Sequence, residues 1–138
     1  MRELDEAIYR TWVNDSVFQA LFPGGFHRGR HPTSSDFPYM IVEPSLSGLV
    51  EYTTGPNNCQ DIFRLFHIWD TDDHNVEILM EKTEELFVDT VPIILHPVRN
   101  VMAAYIESTL IAEDPDKTGN GLTVWQGTLN VRYLVQRR

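Results

Sequence analysis

The residues best able to act as nucleophiles or metal ligands are a single cysteine, Cys59, and five histidines. Cys59 and His67 could form a thiolate–imidazole pair, but the sequence marks no third group to orient the ring and no oxyanion loop. His27 and His31 have the four-residue spacing of metal ligands on a helix, yet glycines and a proline around them argue against a helix. A small hydrolase using Cys59 or the His27/His31 loop is a remote alternative. We expect no catalytic residues, no cofactor and no metal.

A polar segment near the C-terminus has part of the pattern of a calcium-binding loop. Asp114, Asp116 and Thr118 match the first, third and fifth ligand positions of an EF-hand loop. Trp125 stands where the bidentate glutamate is required, and strands rather than helices are predicted on both sides. We therefore predict that residues 114–121 form a polar hairpin turn.

Composition and charge are those of a soluble globular protein. The chain has 138 residues, 42% of them hydrophobic, which predicts one domain over residues 1–138. The net charge of −9 is the opposite of the basic surface typical of nucleic-acid-binding proteins, so we expect no sequence-specific nucleic-acid partner. An acidic surface does suit a passage through which DNA slides, because it repels phosphates. The apolar runs are shorter than a membrane span, so we expect no membrane partner and a cytoplasmic location by default.

The N-terminal third predicts two helices and one short strand. Apolar residues recur at helical spacing over residues 3–13. Asp15 or Ser16 is then predicted to cap a short second helix, which ends before two glycines. Residues 26–38 are rich in polar and turn-forming types and are predicted to be a loop, and residues 39–42 a strand.

The middle of the chain predicts a central strand followed by an amphipathic helix. Residues 44–60 are irregular and predict either a hairpin arm or a mobile loop. Residues 61–69 are apolar on both faces, which indicates a central strand covered on both sides. The helix after it, within residues 71–89, is predicted to be capped by one of the polar residues 70–72. Its apolar stripe consists of Val76, Leu79, Met80, Thr83, Leu86 and Phe87.

Two long extended segments end the chain, over residues 98–112 and 121–136. The second alternates apolar and polar side chains, which predicts one packed and one polar face. The predicted fold class is α+β: a mostly antiparallel β-sheet, an N-terminal helix and a central amphipathic helix packed on one face, and a long C-terminal β-hairpin. The residues expected in the core are Trp12, Phe63, Trp69, Phe87, Trp125 and Tyr133.

Four strings of the sequence occur in an order that resembles a known protein family. An apolar stretch with a glycine turn, ALFPGGFH, is followed by FPYMIVEP, then by RLFHIWDTD, and finally by TVWQGTLNVRYLV. In this order they resemble the tail-completion proteins of long-tailed bacteriophages and prophages, also called tail terminators. The resemblance spans nearly the whole chain, but the strings are patterns of fold rather than catalytic signatures.

The resemblance implies a structural virion protein without enzymatic activity. Such a subunit assembles with copies of itself into a ring, typically a hexamer, that caps the head-proximal end of the tail tube and joins it to the head connector. It implies as partners the tail tube protein and the connector or stopper protein, with DNA passing through the lumen, and a location in the virion after assembly in the host cytoplasm. A head-side adaptor or stopper of the neck is the alternative.

Two polar segments are the expected contacts with neighbouring subunits or the tube, since loops within compact domains are often functional. One lies in residues 45–58 and the other in the hairpin turn at 114–121. The expected interface residues are Ser47, Leu49, Val50, Glu51, Tyr52, Asp114, Asp116, Lys117 and Asn120.

Overall fold

Residues 2–29, 36–44, 51–54, 59–95, 99–119 and 121–137 are described by the computed structural model. The helices are α1 (Arg2–Val13), α2 (Ser16–Ala20) and α3 (Asp73–Glu84), and α3 continues into a π-helical turn, Glu85–Asp89. The strands are β1 (Phe26–Arg28), β2 (Tyr39–Pro44), β3 (Glu51–Thr54), β4 (Cys59–Asp70), β5 (Arg99–Glu113) and β6 (Trp125–Arg137).

The strands form one six-stranded sheet with the order β1-β2-β4-β6-β5, and β3 pairs with β4 beyond β2. Among the described pairings, the β1–β2 pairing is parallel and the others are antiparallel. Buried side chains of the helices share one core with one face of the sheet, so the helices lie on that face. The predicted α+β fold class, the helices on one face and the C-terminal hairpin are confirmed.

Both N-terminal helices form where the pattern predicts them. The apolar stripe of α1 is buried, and its neighbour α2 begins after Asp15, whose carboxylate accepts a hydrogen bond from the Phe18 amide at 2.9 Å. Trp12 packs against Phe18 edge-on at 5.5 Å between ring centroids. The two helices thus present one aromatic surface to the sheet.

The prediction of a loop over residues 26–38 was wrong at its start. Phe26–Arg28 is a strand that pairs in parallel with β2, in the register Phe26 to Met40. Gly25, with a φ of +85°, turns the chain into it, and the Phe26 ring stacks on Trp12 at 5.0 Å. The local sequence is polar and rich in glycine, so this tertiary aromatic contact decides the strand.

The central strand and helix follow the predicted pattern closely. β4 pairs with β2, β3 and β6, and Asp72 caps α3 by accepting a hydrogen bond from the His74 amide. Of the predicted stripe, all members but the partly buried Leu86 are buried. The Tyr133 hydroxyl donates to the Phe87 carbonyl at 2.9 Å, and burial raises the pKa of Tyr133 well above its ordinary value.

Four of the six expected core residues are buried as predicted, and two depart from that expectation. Phe63 and Trp125 are only partly buried. Trp69 is buried, but in a second small cluster with Tyr39, Ile41 and Val124 rather than in the main core. Its side chain points to the face of the sheet opposite the helices, as the alternation along β4 requires. Within the described part of the chain, the β4 side chains of both faces are buried toward the Trp69 end, whereas Phe63 and Leu65 are partly buried.

A buried ion pair fixes α1 to the centre of the sheet. The Arg64 side chain is 6% exposed, and its Nε and Nη2 donate to the two carboxylate oxygens of Asp5 at 2.7 and 3.3 Å. Arg28 Nη2 approaches the same carboxylate at 3.4 Å. Arg64 also donates to the Phe63 carbonyl at 2.9 Å, so two acceptors satisfy the buried guanidinium.

Gly127 lets α3 pack directly against β6, and this contact gives a testable prediction. A Cβ added at Gly127 would lie 2.6 Å from both Met80 Sδ and Val76 Cγ1. We expect Gly127→Ala to lower the free energy of unfolding by about 1–3 kcal/mol, because α3 must shift. Gly119→Ala is the matched control, since a Cβ there meets nothing within 4 Å. Equal urea midpoints for the two variants would contradict this packing.

Candidate subunit interface

The outer edge of β5 offers its backbone for pairing. β5 is the last strand in the sheet order, and among the described strands only β6 pairs with it. The outward N–H and C=O groups of such an edge are a template for a strand from another chain. Fifteen residues make this the longest strand described, so the available edge is long.

The second half of β5 has few of the devices that usually protect an edge, apart from the glutamates at its two ends. All seven residues from Glu107 to Glu113 are exposed, and they include Leu110 at 64% and Ile111. The two irregularities of the β5–β6 register lie earlier, between Val101 and Ala103 and around Glu107. Residues 108–113 contain no bulge, no proline and no lysine. This segment is therefore suited to continuing the sheet into another subunit.

An acidic groove runs beside this edge on the helix side. It has a volume of about 390 Å³ and an apolar floor that includes Met80, Ile111 and Leu129. Glu77, Glu81 and Glu84 of α3 form its wall. A strand added to β5 would place alternate side chains in this groove. Basic or apolar side chains fit it best.

The hairpin turn after β5 folds back onto the sheet. The Asp114 carboxylate accepts hydrogen bonds from the Trp69 indole at 2.8 Å and from the Asp116 amide at 3.0 Å. The Asp114 carbonyl also accepts from the Thr118 amide and hydroxyl, at 3.0 and 2.8 Å. Asp114 thus organises the turn. Its carboxylate, which a calcium loop would direct at the ion, is occupied by the hydrogen bonds from Trp69 and Asp116.

Lys117 packs over the second aromatic cluster. Its Nζ lies 5.7 Å from the Tyr39 ring centroid and 5.9 Å from that of Trp69, within cation–π range. Burial raises the pKa of the Tyr39 hydroxyl, and the nearby Lys117 opposes that rise. These contacts tie the turn to its own subunit. The expected contact of Lys117 with a neighbouring subunit stays a prediction.

A matched pair of variants separates the two aspartates of the turn. We expect Asp114→Ala to destabilise the fold by about 1–3 kcal/mol, because the Trp69 indole and the Asp116 amide lose this acceptor. Asp116→Ala should change stability by less than about 0.5 kcal/mol, since Asp116 is exposed and supplies its backbone to the turn. Thermal melting of both variants measures the difference, and a larger loss for Asp116→Ala would count against these contacts.

His67 lies in a polar network on the open face, by which we mean the sheet face opposite the helices. Its Nε2 is 2.7 Å from Glu43 Oε1, and its Nδ1 is 3.0 Å from Thr128 Oγ1 and 3.1 Å from Gln126 Nε2. A neutral ring that donates to Glu43 can accept from either of the other two. Both ring nitrogens are engaged, which satisfies a histidine that is 8% exposed.

The structure contradicts the hypothesis that Cys59 and His67 form a thiolate–imidazole pair. Both residues lie on β4, eight positions apart, and a strand rises about 3.3 Å per residue, so they are separated by roughly 26 Å. His27 Nε2 lies 2.8 Å from the Gly24 carbonyl, and His31 is outside the described residues. In the part of the chain that the structure describes, no three His, Cys, Asp or Glu side chains are grouped for a metal ion. Within the same residues no helix is long and apolar enough to cross a membrane.

Only some of the expected interface residues lie within the described part of the chain. Ser47, Leu49, Val50 and Asn120 lie outside the described residues. Glu51 and Tyr52 begin β3 and pair with Ile62 and Asp61 of β4, which agrees with the hairpin-arm alternative for this segment. Sequence reasoning missed the β5 edge. The signal was the run STLIAE, residues 108–113, which has strand-forming residues without polar alternation.

The fold places this chain in a class of α+β proteins with helices on one face of a mixed sheet and a long C-terminal hairpin. A chain in the solved structure of the "Virion of native gene transfer agent (GTA) particle" has the same fold, with a TM-score of 0.72 and 9% sequence identity. The match covers 94% of this chain and 91% of that chain. No protein-family model and no curated protein sequence matches the chain.

Proposed function

We propose that this protein is a structural virion subunit that assembles with copies of itself into a ring, which we take to be a hexamer. In this role it caps the head-proximal end of a phage tail tube and joins it to the head connector. The fold shared with a component of a virion particle supports this proposal, since the match covers nearly the full length of both chains. The role requires self-association and docking, with no bond-making by the subunit.

The single observation that carries the proposal is the exposed, bulge-free end of β5. Leu110 and Ile111 are exposed there, beside the outward backbone groups of an edge strand that can accept a strand from another chain. Strand addition at that edge supplies main-chain hydrogen bonds and covers both side chains. When each subunit makes one such contact with the next, cyclic symmetry is the usual arrangement that closes the oligomer into a ring.

Charge suits a ring through which DNA passes. Each chain carries −9, so six copies carry about −54. A surface of that sign repels phosphates and keeps DNA from adhering, and salt screens the repulsion beyond about 10 Å. We place the polar open face toward the lumen and the helices outside.

The test is the assembly state of the purified chain. Mass measurement and negative-stain images at several salt concentrations should show closed rings, and addition of tail tubes should show the rings at one end of the tube. Strictly monomeric protein in every condition, with tubes present, would contradict the proposal. A head-side adaptor or stopper is the second candidate, and binding to filled heads instead of tail tubes would favour it.

A further inference from the structure

We propose that the ring forms by edge-to-edge pairing, in which β5 of one copy adds antiparallel to β1 of the next copy. This inference rests on the proposed function and names the two surfaces that meet. β1 and β5 are the first and last strands in the sheet order β1-β2-β4-β6-β5. Pairing them between copies continues the sheet from one subunit to the next.

The strand directions allow this pairing in a ring. β5 is antiparallel to β6, which is antiparallel to β4, so β5 and β4 run in the same direction. β2 is antiparallel to β4 and parallel to β1, so β1 runs opposite to β5. A copy related by rotation about an axis along the strands therefore brings its β1 antiparallel to β5. Every helix face then points to the same side of the ring.

Charge on the helix side of the two edges is complementary. Arg28 pairs in register with Val42, whose side chain is in the main core, so Arg28 lies on the helix side, where it is 57% exposed. On the helix side of the β5 edge the charges are negative: they belong to Glu113 and to Glu77 and Glu81 of the groove wall. Arg28 also approaches Asp5 of its own subunit at 3.4 Å, so entry into the acidic groove of the next copy requires it to exchange that partner for the groove carboxylates.

The same charges disfavour the symmetric alternative, in which β5 pairs with β5 of a second copy. Antiparallel self-pairing centred on Leu110 places Glu107 opposite Glu113, and it brings two acidic groove walls together across the junction. A head-to-tail contact between unlike edges avoids these like-charge contacts and propagates around a ring.

Paired cysteine variants test the contact. In a Cys59→Ser background, His27→Cys places a thiol on β1 on the open face. Ser108→Cys, Leu110→Cys and Ala112→Cys place thiols on the same face of β5, at successive register positions. Facing residues of an antiparallel pair are close enough for a disulfide. Copper-catalysed oxidation of a His27→Cys chain mixed with each β5 variant should give a covalent dimer for at least one register.

Controls distinguish failure of this contact from failure of the proposed function. Val17→Cys on α2 mixed with His27→Cys should give no covalent dimer, and single β5 variants should give none on their own. Efficient dimers from one β5 variant alone would show symmetric pairing and overturn the proposal. Rings without any β1–β5 cross-link would overturn the proposal and leave the proposed function standing. Absence of rings in the parent chain in every salt condition, with tail tubes present, would overturn both.

Discussion

Asp5→Ala is expected to lower the free energy of unfolding by about 3–5 kcal/mol, the cost of leaving one partner of a buried ion pair without the other. Asp5 accepts hydrogen bonds from two of the three guanidinium nitrogens of Arg64, whose side chain is 6% exposed. Removal of the carboxylate leaves Arg64 with the Phe63 carbonyl as its remaining protein acceptor among these contacts. The neighbouring Arg28 would add to the uncompensated positive charge.

Chemical denaturation measures this loss, and Glu6→Ala is its matched control. Glu6 adjoins Asp5 in α1 and pairs with Arg2 at 2.9 Å, but both side chains are mostly exposed. Such a surface pair contributes little to stability, because solvent and salt screen it. A drop for Asp5→Ala no larger than that for Glu6→Ala would show that water reaches Arg64 and that the pair is not buried.

Leu110→Lys is expected to abolish ring assembly while leaving the fold intact. The side chain is largely exposed in the single subunit, so a lysine there can extend into water and change stability by less than about 0.5 kcal/mol. Between subunits the lysine would lie beside the side chains of the added strand and would replace the apolar contact that Leu110 makes with them. A penalty of about 1.4 kcal/mol per contact weakens each contact about tenfold, and a ring of several contacts compounds the loss.

Analytical ultracentrifugation with thermal melting tests both halves of this prediction. Val17→Lys on α2 is the control, because Val17 is 77% exposed and lies on the helix side of the sheet. It should form rings like the parent chain. Normal rings from Leu110→Lys would exclude the β5 edge as the interface, and a lowered melting temperature would show that Leu110 supports the fold itself.

Local patterns in the sequence predict the elements of this fold well. The stripe from Val76 to Phe87 repeats at 3.6 residues because one face of a helix must be buried, and the structure buries it. The alternation in β6 predicts its packed and polar faces because side chains of a strand point alternately to either side. Asp15 and Asp72 cap their helices because a short carboxylate reaches the free amides of the first turn. Each of these patterns involves residues that are close together in the sequence.

Other features depend on residues far apart in the chain, and only the tertiary structure decided them. β1 exists because Phe26 meets Trp12 and β2, although its own sequence is typical of a turn. The pairing of Asp5 with Arg64, 59 residues apart, follows from where α1 crosses β4. The order of strands made β5 the outer edge, which no periodicity encodes. The sequence determined the helices and most of the strands, because those preferences are local. Tertiary packing decided which edge is left open to a partner, because that depends on which strand finds no neighbour.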